Sequence, residues 1–205
     1  MELQVLNLSN VLESVFPSYD QVDVAGFSLG GRIALAAAAS LRIRKLHLTG
    51  VPARRSAFGR LVLDSWKEML HRDPSLKSFA WSTLLTTCSA DFVADNESRI
   101  PAWVDQTARA NTQEGLLALC ETQSDSNHKW DILEIAKGLT IHPSNVRLAV
   151  GSNDPLAPVE QVQHLAQKLG QGAQVVVTIH DGAGHAVPLE KPAAWRSDLL
   201  NFLIS

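Results

Sequence analysis

Apolar residues occur along this 205-residue chain in two patterns: short continuous runs, and longer segments with apolar side chains every three or four positions. A continuous run is typical of a strand buried on both faces of a parallel sheet, and the wider spacing is typical of a helix. The two patterns alternate along the chain, which predicts an α/β fold with helices on both faces of a parallel sheet. The predicted strands are residues 21–25, 45–50, 146–150 and 175–179.

Between the second and third of these strands the pattern is helical only. The stretch 56–126 contains three of the five tryptophans and shows no strand pattern, which predicts a helical subdomain inserted into the sheet domain. We therefore divide the chain into an α/β core, residues 1–52 and 127–205, and a helical lid, residues 53–126. The predicted helices are 3–16 (ending before Pro17), 32–40, 58–70, 76–87, 103–110, 115–120, 160–169 and 192–203.

Composition narrows the class of protein. A hydrophobic content of 45% over this length predicts one globular domain, and a net charge of −3 gives no reason to expect nucleic acid or an anionic membrane as a partner. No apolar stretch approaches the length of a membrane span. Cys88 and Cys120 have no metal-ligand spacing and are too few for a disulfide framework, so we expect reduced thiols in an intracellular, most simply cytoplasmic, protein.

The first candidate for chemistry is a G-x-S-x-G sequence formed by Gly26, Phe27, Ser28, Leu29 and Gly30. It lies between a predicted strand and an alanine-rich predicted helix, which is the context of a nucleophile elbow. A sharp turn there strains the serine backbone and lifts its hydroxyl above the sheet at the positive end of the helix. Small residues are expected on either side of the serine, and the main-chain N–H of Leu29 is a candidate oxyanion donor.

A serine hydroxyl needs an imidazole to take its proton, and the imidazole needs a carboxylate to orient it. Asp154 and His185 each follow a later strand, so they are expected at the same sheet edge as Ser28. Alone, each has a simpler interpretation as a turn aspartate or a loop histidine; together and in this order they predict a triad. His180 is a rival base but more typical of a structural histidine, and Asp181 is a weaker rival for the acid.

Three segments, GFSLGG (26–31), GSNDPLAP (151–158) and GAGHAVPLEKP (182–192), resemble α/β-hydrolase-fold proteins. The resemblance is nearest to carboxylesterase-like members with a helical lid, such as the pimeloyl-carrier-protein methyl esterase and menaquinone-pathway groups. It implies Ser28 as nucleophile, Asp154 as acid and His185 as base. It also implies a small acyl ester or thioester as substrate, and neither a metal nor an organic cofactor.

The resemblance covers the second half of that family's fold. Members normally have several strands, and a loop often containing His-Gly, before the elbow helix; that loop gives the second oxyanion N–H. Here strand 22–25 is expected to be an open apolar edge. Three explanations stay open: a longer natural protein whose N-terminal part is needed for activity, a second chain or symmetry mate that covers this edge, or a non-catalytic descendant.

Two function hypotheses follow. The first is a serine hydrolase of carboxylic esters, with thioesterase or lyase chemistry differing only in substrate; the second is an inactive interaction subunit in a larger assembly. Trp66, Phe79 and Trp81 are candidate walls of an apolar acyl pocket, although aromatic residues at helical spacing are more often lid core. Arg54 and Arg55 could hold an anionic substrate, but a solvated pair is the simpler interpretation. His47, inside an apolar strand, is expected to be a hydrogen-bonded core residue.

Overall fold

The computed structural model describes residues 2–16, 21–124 and 131–205. Four parallel strands form one sheet, and their order across the sheet is their order along the chain. Leucine, isoleucine and valine recur along each strand, and such side chains pack well on a pleated surface. The strands are β1 (Val22–Phe27), β2 (Ile43–Thr49), β3 (Val146–Gly151) and β4 (Val176–His180).

Helices connect the strands and cover the sheet. The longest connection, between β2 and β3, is helical, as the sequence predicts. The helices are α1 (Glu2–Val15), α2 (Leu29–Ala37), α3 (Ala57–Arg72), α4 (Lys77–Thr87), α5 (Ala90–Asp95), α6 (Ile100–Ala110), α7 (Gln113–Ser124), α8 (Ile132–Lys137), α9 (Val159–Gly170), α10 (Val187–Glu190) and α11 (Pro192–Ile204).

The main hydrophobic core lies on one face of the sheet. Helices α2 and α9 pack on the strands, while α1 and α8 pack against these two helices. Leu35 and Leu165, from α2 and α9, are fully buried with Leu48 and Leu148 of the two central strands. This face excludes water from the center of the sheet and fixes the strand ends that carry the candidate site.

The opposite face of the sheet carries a partly buried polar network under α11. Oδ2 of Asp198 lies 3.1 Å from Nε2 of His47, while Oδ1 accepts hydrogen bonds from Arg147 (2.9 Å) and Thr178 (2.8 Å). Burial alone would raise the pKa of Asp198, but the hydrogen bonds from His47 and Thr178 and the charge of Arg147 lower it below its usual value. One helix is thereby bonded to β2, β3 and β4.

The inserted helices form a second, smaller core. α3 packs against α4 and α7, and α4 packs against α6. Trp66 and Phe79 meet edge to face, with ring centroids 5.6 Å apart, among buried leucines of α3 and α7. The predicted lid–core boundary at residues 126 and 127 lies outside the described residues, as does Pro17, and the division into core and lid stays a prediction.

The α/β fold and the four predicted strands are confirmed, each strand end within two residues. The expectation that every strand is buried on both faces is wrong for both edge strands, since Val176 and Ile179 of β4 are exposed and β1 is exposed at every second residue. Asp23, Ala25 and Phe27 are exposed, because only one face of this edge strand is covered. The amides of Val22 and Ser28 donate toward β2, so by alternation the main-chain groups of residues 23, 25 and 27 face an open edge. No helix among the described residues is long and apolar enough to cross a membrane.

Candidate active site

The elbow turns from β1 into α2 through a single strained residue. Ser28 has φ 51° and ψ −117°, a conformation that L-residues rarely adopt, and α2 begins at the next residue. The Ser28 N–H donates to the Thr49 carbonyl (2.8 Å), and the Ser28 carbonyl accepts from the amide of Arg32 (3.1 Å). These two bonds hold the strained backbone, and the serine side chain is fixed at the end of the sheet.

Gly26 and Gly30, the two glycines of the pentapeptide, have different surroundings. A Cβ on Gly26 would lie 2.6 Å from the Cα of Gly31, because strand and helix cross there with their main chains in contact. A Cβ on Gly30 would meet nothing within 4 Å, and the residue does not have a positive φ. The expectation that small residues are needed on either side of the serine is therefore confirmed at Gly26 and wrong at Gly30.

Ser28, His185 and Asp154 meet at the carboxyl end of the sheet and form one hydrogen-bonded chain. Oγ of Ser28 lies 2.9 Å from Nε2 of His185, and Nδ1 of His185 lies 2.7 Å from Oδ2 of Asp154. Asp154 and His185 are each only 5% exposed. The three residues come from the ends of β1, β3 and β4, so the sequence-predicted candidates are brought together as the parallel topology requires.

The carboxylate of Asp154 is oriented by its own loop. Its Oδ1 accepts hydrogen bonds from the amides of Leu156 (2.9 Å) and Ala157 (2.8 Å), which leaves Oδ2 directed at the imidazole. Charge-assisted hydrogen bonds of this kind satisfy a buried carboxylate. The arrangement fixes the imidazole tautomer: Nδ1 carries the proton that it donates to Asp154, and Nε2 is free to accept from the serine.

Glu190 holds the loop that carries His185, residues 181–186 between β4 and α10, against the inserted helices; we call this segment the histidine loop. Its carboxylate accepts from the amide of Gly184 (3.0 Å) in the histidine loop and from the amide of Ser89 (3.0 Å) between α4 and α5. The Ala186 amide also donates to the Thr87 carbonyl (3.0 Å). Sequence reasoning missed this residue, although it stands within the segment 182–192 that carries the family resemblance.

A cavity of about 370 Å³ opens beside Ser28 and His185, between the sheet edge and the inserted helices. Trp66 and Phe79 line it, as the sequence predicts. Trp81 does not, and it is 39% exposed. Its assignment to the pocket is wrong because side chains two residues apart lie on opposite sides of a helix, so Phe79 and Trp81 cannot both face the cavity. Other apolar walls come from Phe27, Leu29, Val62, Leu63, Leu116, Leu119 and Leu156.

Comparison with known proteins identifies the family. A family model described as the alpha/beta hydrolase family matches residues 3–197. The chain belongs to this alpha/beta hydrolase family. A search of curated proteins found no match. The carboxylesterase-like subtype inferred from the sequence stays a prediction.

Solved structures share the fold of this alpha/beta hydrolase. MGS-M2, an alpha/beta hydrolase enzyme from a Medee basin deep-sea metagenome library, is 20% identical with a TM-score of 0.83, and the match covers 100% of this chain and 72% of that one. The enol-lactonase from Burkholderia xenovorans LB400 is 19% identical with a TM-score of 0.79, covering 100% and 73%. A thermophilic esterase from Thermogutta terrifontis is 21% identical with a TM-score of 0.76, covering 96% and 69%.

Two arginines of this alpha/beta hydrolase line the same cavity, Arg32 from α2 and Arg55 from the loop before α3. Arg54, by contrast, is exposed. The interpretation of Arg54 and Arg55 as a solvated pair was therefore right for Arg54 alone. Burial lowers the pKa of Arg32, and burial together with the charge of Arg32 lowers the pKa of Arg55 to about 10.

Neither rival candidate lines the cavity beside Ser28. His180 is buried, and burial lowers its pKa, while Asp181 is exposed and accepts only a long bond from Ser152 (3.4 Å).

Burial, with the charge of Glu190, raises the pKa of Cys88 to about 11, so its thiol stays protonated. In the described part of the chain, no group of three or more histidine, cysteine, aspartate or glutamate side chains is placed to hold a metal ion.

Proposed function

We propose that the protein is a serine hydrolase that cleaves a carboxylic ester or a related acyl compound. The observation that carries the proposal is the hydrogen-bonded chain Ser28–His185–Asp154 at the mouth of a largely apolar cavity. A serine held in strained backbone beside an imidazole that a buried carboxylate orients is the arrangement that activates a hydroxyl for acyl transfer. A purely structural protein has no physical need for this combination.

In the proposed reaction, Oγ of Ser28 attacks the ester carbonyl while Nε2 of His185 takes the hydroxyl proton. Asp154 stabilises the imidazolium through the Nδ1 bond of 2.7 Å. The carbon–oxygen bond to the alcohol then breaks, and His185 returns the proton to the leaving alcohol. Water, deprotonated by the same imidazole, hydrolyses the acyl-serine and regenerates the free hydroxyl.

The negative oxygen of the tetrahedral intermediate needs hydrogen-bond donors. Leu29 is the first residue of α2, where a helix leaves its N–H groups without an intrahelical partner. We assign this N–H as one oxyanion donor, assisted by the positive end of the helix. The inserted helices supply the apolar walls for the acyl or alcohol part of the substrate.

An activity-based probe tests the proposal. A fluorophosphonate is expected to label the protein, and Ser28→Ala is expected to abolish both labelling and hydrolysis of p-nitrophenyl esters. Ser40→Ala is the matched control, because Ser40 follows the far end of α2 and bonds only to the Ala37 carbonyl (3.1 Å). Labelling that persists in Ser28→Ala would contradict the assignment. A folded protein with neither labelling nor hydrolysis would favour the non-catalytic subunit.

A further inference from the structure

The cavity beside Ser28 contains two cations that the proposed ester hydrolysis does not use. The guanidinium groups of Arg32 and Arg55 line a space whose other walls are mostly apolar, and no aspartate or glutamate of the described chain is among the lining residues. Placing two positive side chains against such walls is costly unless something neutralises them. No described residue that lines the cavity carries the negative charge that would neutralise them.

Neither arginine forms an ion pair with a described residue. Nε of Arg32 is buried and has no hydrogen-bond partner among the described residues. Arg55 donates to Oε1 of Gln123 (3.0 Å), a neutral acceptor. The charge of Asp131 raises the pKa of Arg32 and so partly compensates it, but the two side chains form no ion pair, and Oδ1 of Asp131 accepts from the Leu133 amide (2.8 Å) as the cap of α8. The Nε donor of Arg32 is therefore left without a described acceptor.

The two guanidinium groups also repel each other. Both residues line one cavity, and the charge of Arg32 is one cause of the lowered pKa of Arg55. A bound anion would offset the repulsion between these two positive charges. A carboxylate suits the site best, because its two oxygens match the planar fork of an arginine. A second feature fixes where such an anion would lie. Arg32 follows Ser28 by one helical turn, its amide donating to the Ser28 carbonyl (3.1 Å), and both residues line one cavity of about 370 Å³.

We propose that Arg32 and Arg55 bind a carboxylate of the substrate, so that the preferred substrate is a small ester carrying a second, free carboxylate. This inference rests on the proposed ester hydrolysis at Ser28. The ester carbonyl and the carboxylate belong to one molecule because the nucleophile and both arginines line the same cavity. The monoester of a short dicarboxylic acid is the simplest compound with this chemistry.

The kinetic test compares monomethyl succinate, glutarate and adipate with methyl esters of neutral acids of equal length. We expect at least one monoester to be preferred in kcat/KM. Arg55→Gln is expected to lower the ratio of kcat/KM between that monoester and its neutral counterpart by roughly 10- to 100-fold, the loss expected for a hydrogen bond to a charged group. Arg55→Lys keeps the charge but not the fork, so it should recover part of the ratio. Arg54→Gln is the matched control, since that neighbouring arginine is exposed, and it should leave the ratio unchanged.

A binding measurement separates this inference from the function on which it rests. Glutarate is expected to raise the melting temperature of Ser28→Ala, and to do so less when Arg32→Gln or Arg55→Gln is added. If glutarate binding depends on the arginines but the wild-type protein hydrolyses none of the esters, the carboxylate site is upheld and the proposed hydrolysis is overturned. Hydrolysis of neutral esters with no dependence on either arginine would overturn the carboxylate site alone. Stronger stabilisation by inorganic phosphate than by glutarate would overturn the choice of carboxylate.

Discussion

Replacing Gly26 by alanine should destabilise the protein much more than the same replacement at Gly30, although the two glycines flank one serine. A Cβ at Gly26 would lie 2.6 Å from the Cα of Gly31 and 2.7 Å from both the Gly31 nitrogen and the Gly30 oxygen. All three are main-chain atoms of the elbow, so no side-chain rotation can relieve the contact. Overpacking a tight site costs 1–3 kcal/mol, and we expect the upper end, about 3 kcal/mol.

Gly30 is the matched control within the same motif. Its Cβ would meet nothing within 4 Å, and alanine is favoured over glycine in a helix by roughly 0.5–1 kcal/mol. Because Gly30 lies in the first turn of α2, we expect an effect between no change and a gain of about 0.5 kcal/mol.

Urea titration of the two variants, followed by circular dichroism, measures the difference in unfolding free energy. A loss of about 3 kcal/mol corresponds to a melting temperature lowered by about 6–12 °C in a chain of this size. Equal losses at both positions, or a Gly26→Ala variant within 0.5 kcal/mol of the wild type (the usual size of a surface effect), would refute the argument that main-chain contact at the elbow requires the first glycine.

Three further predictions follow from the same structure. Asp154→Asn should lower kcat for esters by about 10⁴-fold through loss of the correct imidazole tautomer, while Asp181→Asn, at the exposed rival, should not; steady-state kinetics on both variants decides. The pKa of Asp198 is lowered in the native state, so its ionised carboxylate stabilises the fold above the unfolded-state pKa of about 4, and this stabilisation is lost as the pH falls through the lower native pKa. Asp198→Asn should therefore make the unfolding free energy fall less steeply at acid pH, which urea titration at a series of pH values measures. Glu190→Ala leaves the amides of Ser89 and Gly184 without their acceptor and should lower the unfolding free energy by about 2 kcal/mol in the same titration. The variant should also lose more in kcat than it changes in KM. An unchanged kcat would show that the bonds to the histidine loop do not position the imidazole.

The sequence predicts those parts of the fold and site in which a short segment allows only one structure or one position. The elbow needs glycine at position 26, so the motif marks both the turn and Ser28. Parallel strands end at one edge, so the positions of Asp154 and His185 after their strands were enough to bring them to the serine. The topology alone therefore predicts which strand ends carry the three side chains.

Features that depend on packing between distant segments were not predictable in this way. Phe79 and Trp81 are two residues apart and therefore lie on opposite sides of a helix, but the sequence does not show which side faces the cavity. Only the packing of α4 on α3 and α6 decides that. Arg54 and Arg55 are adjacent in sequence, yet one is exposed and the other lines the cavity. Glu190 has its role only because the chain between α4 and α5 lies against the histidine loop.

The position of Asp198 has a consequence for how the molecule is made. One carboxylate on α11 bonds to a histidine, an arginine and a threonine from three different strands, and the histidine is fully buried. During translation β2 and β3 emerge from the ribosome well before α11, while β4 emerges shortly before it. The strands β2 and β3 can therefore pair before their shared acceptor is available, and the bonds from His47 and Arg147 form only after α11 has left the exit tunnel.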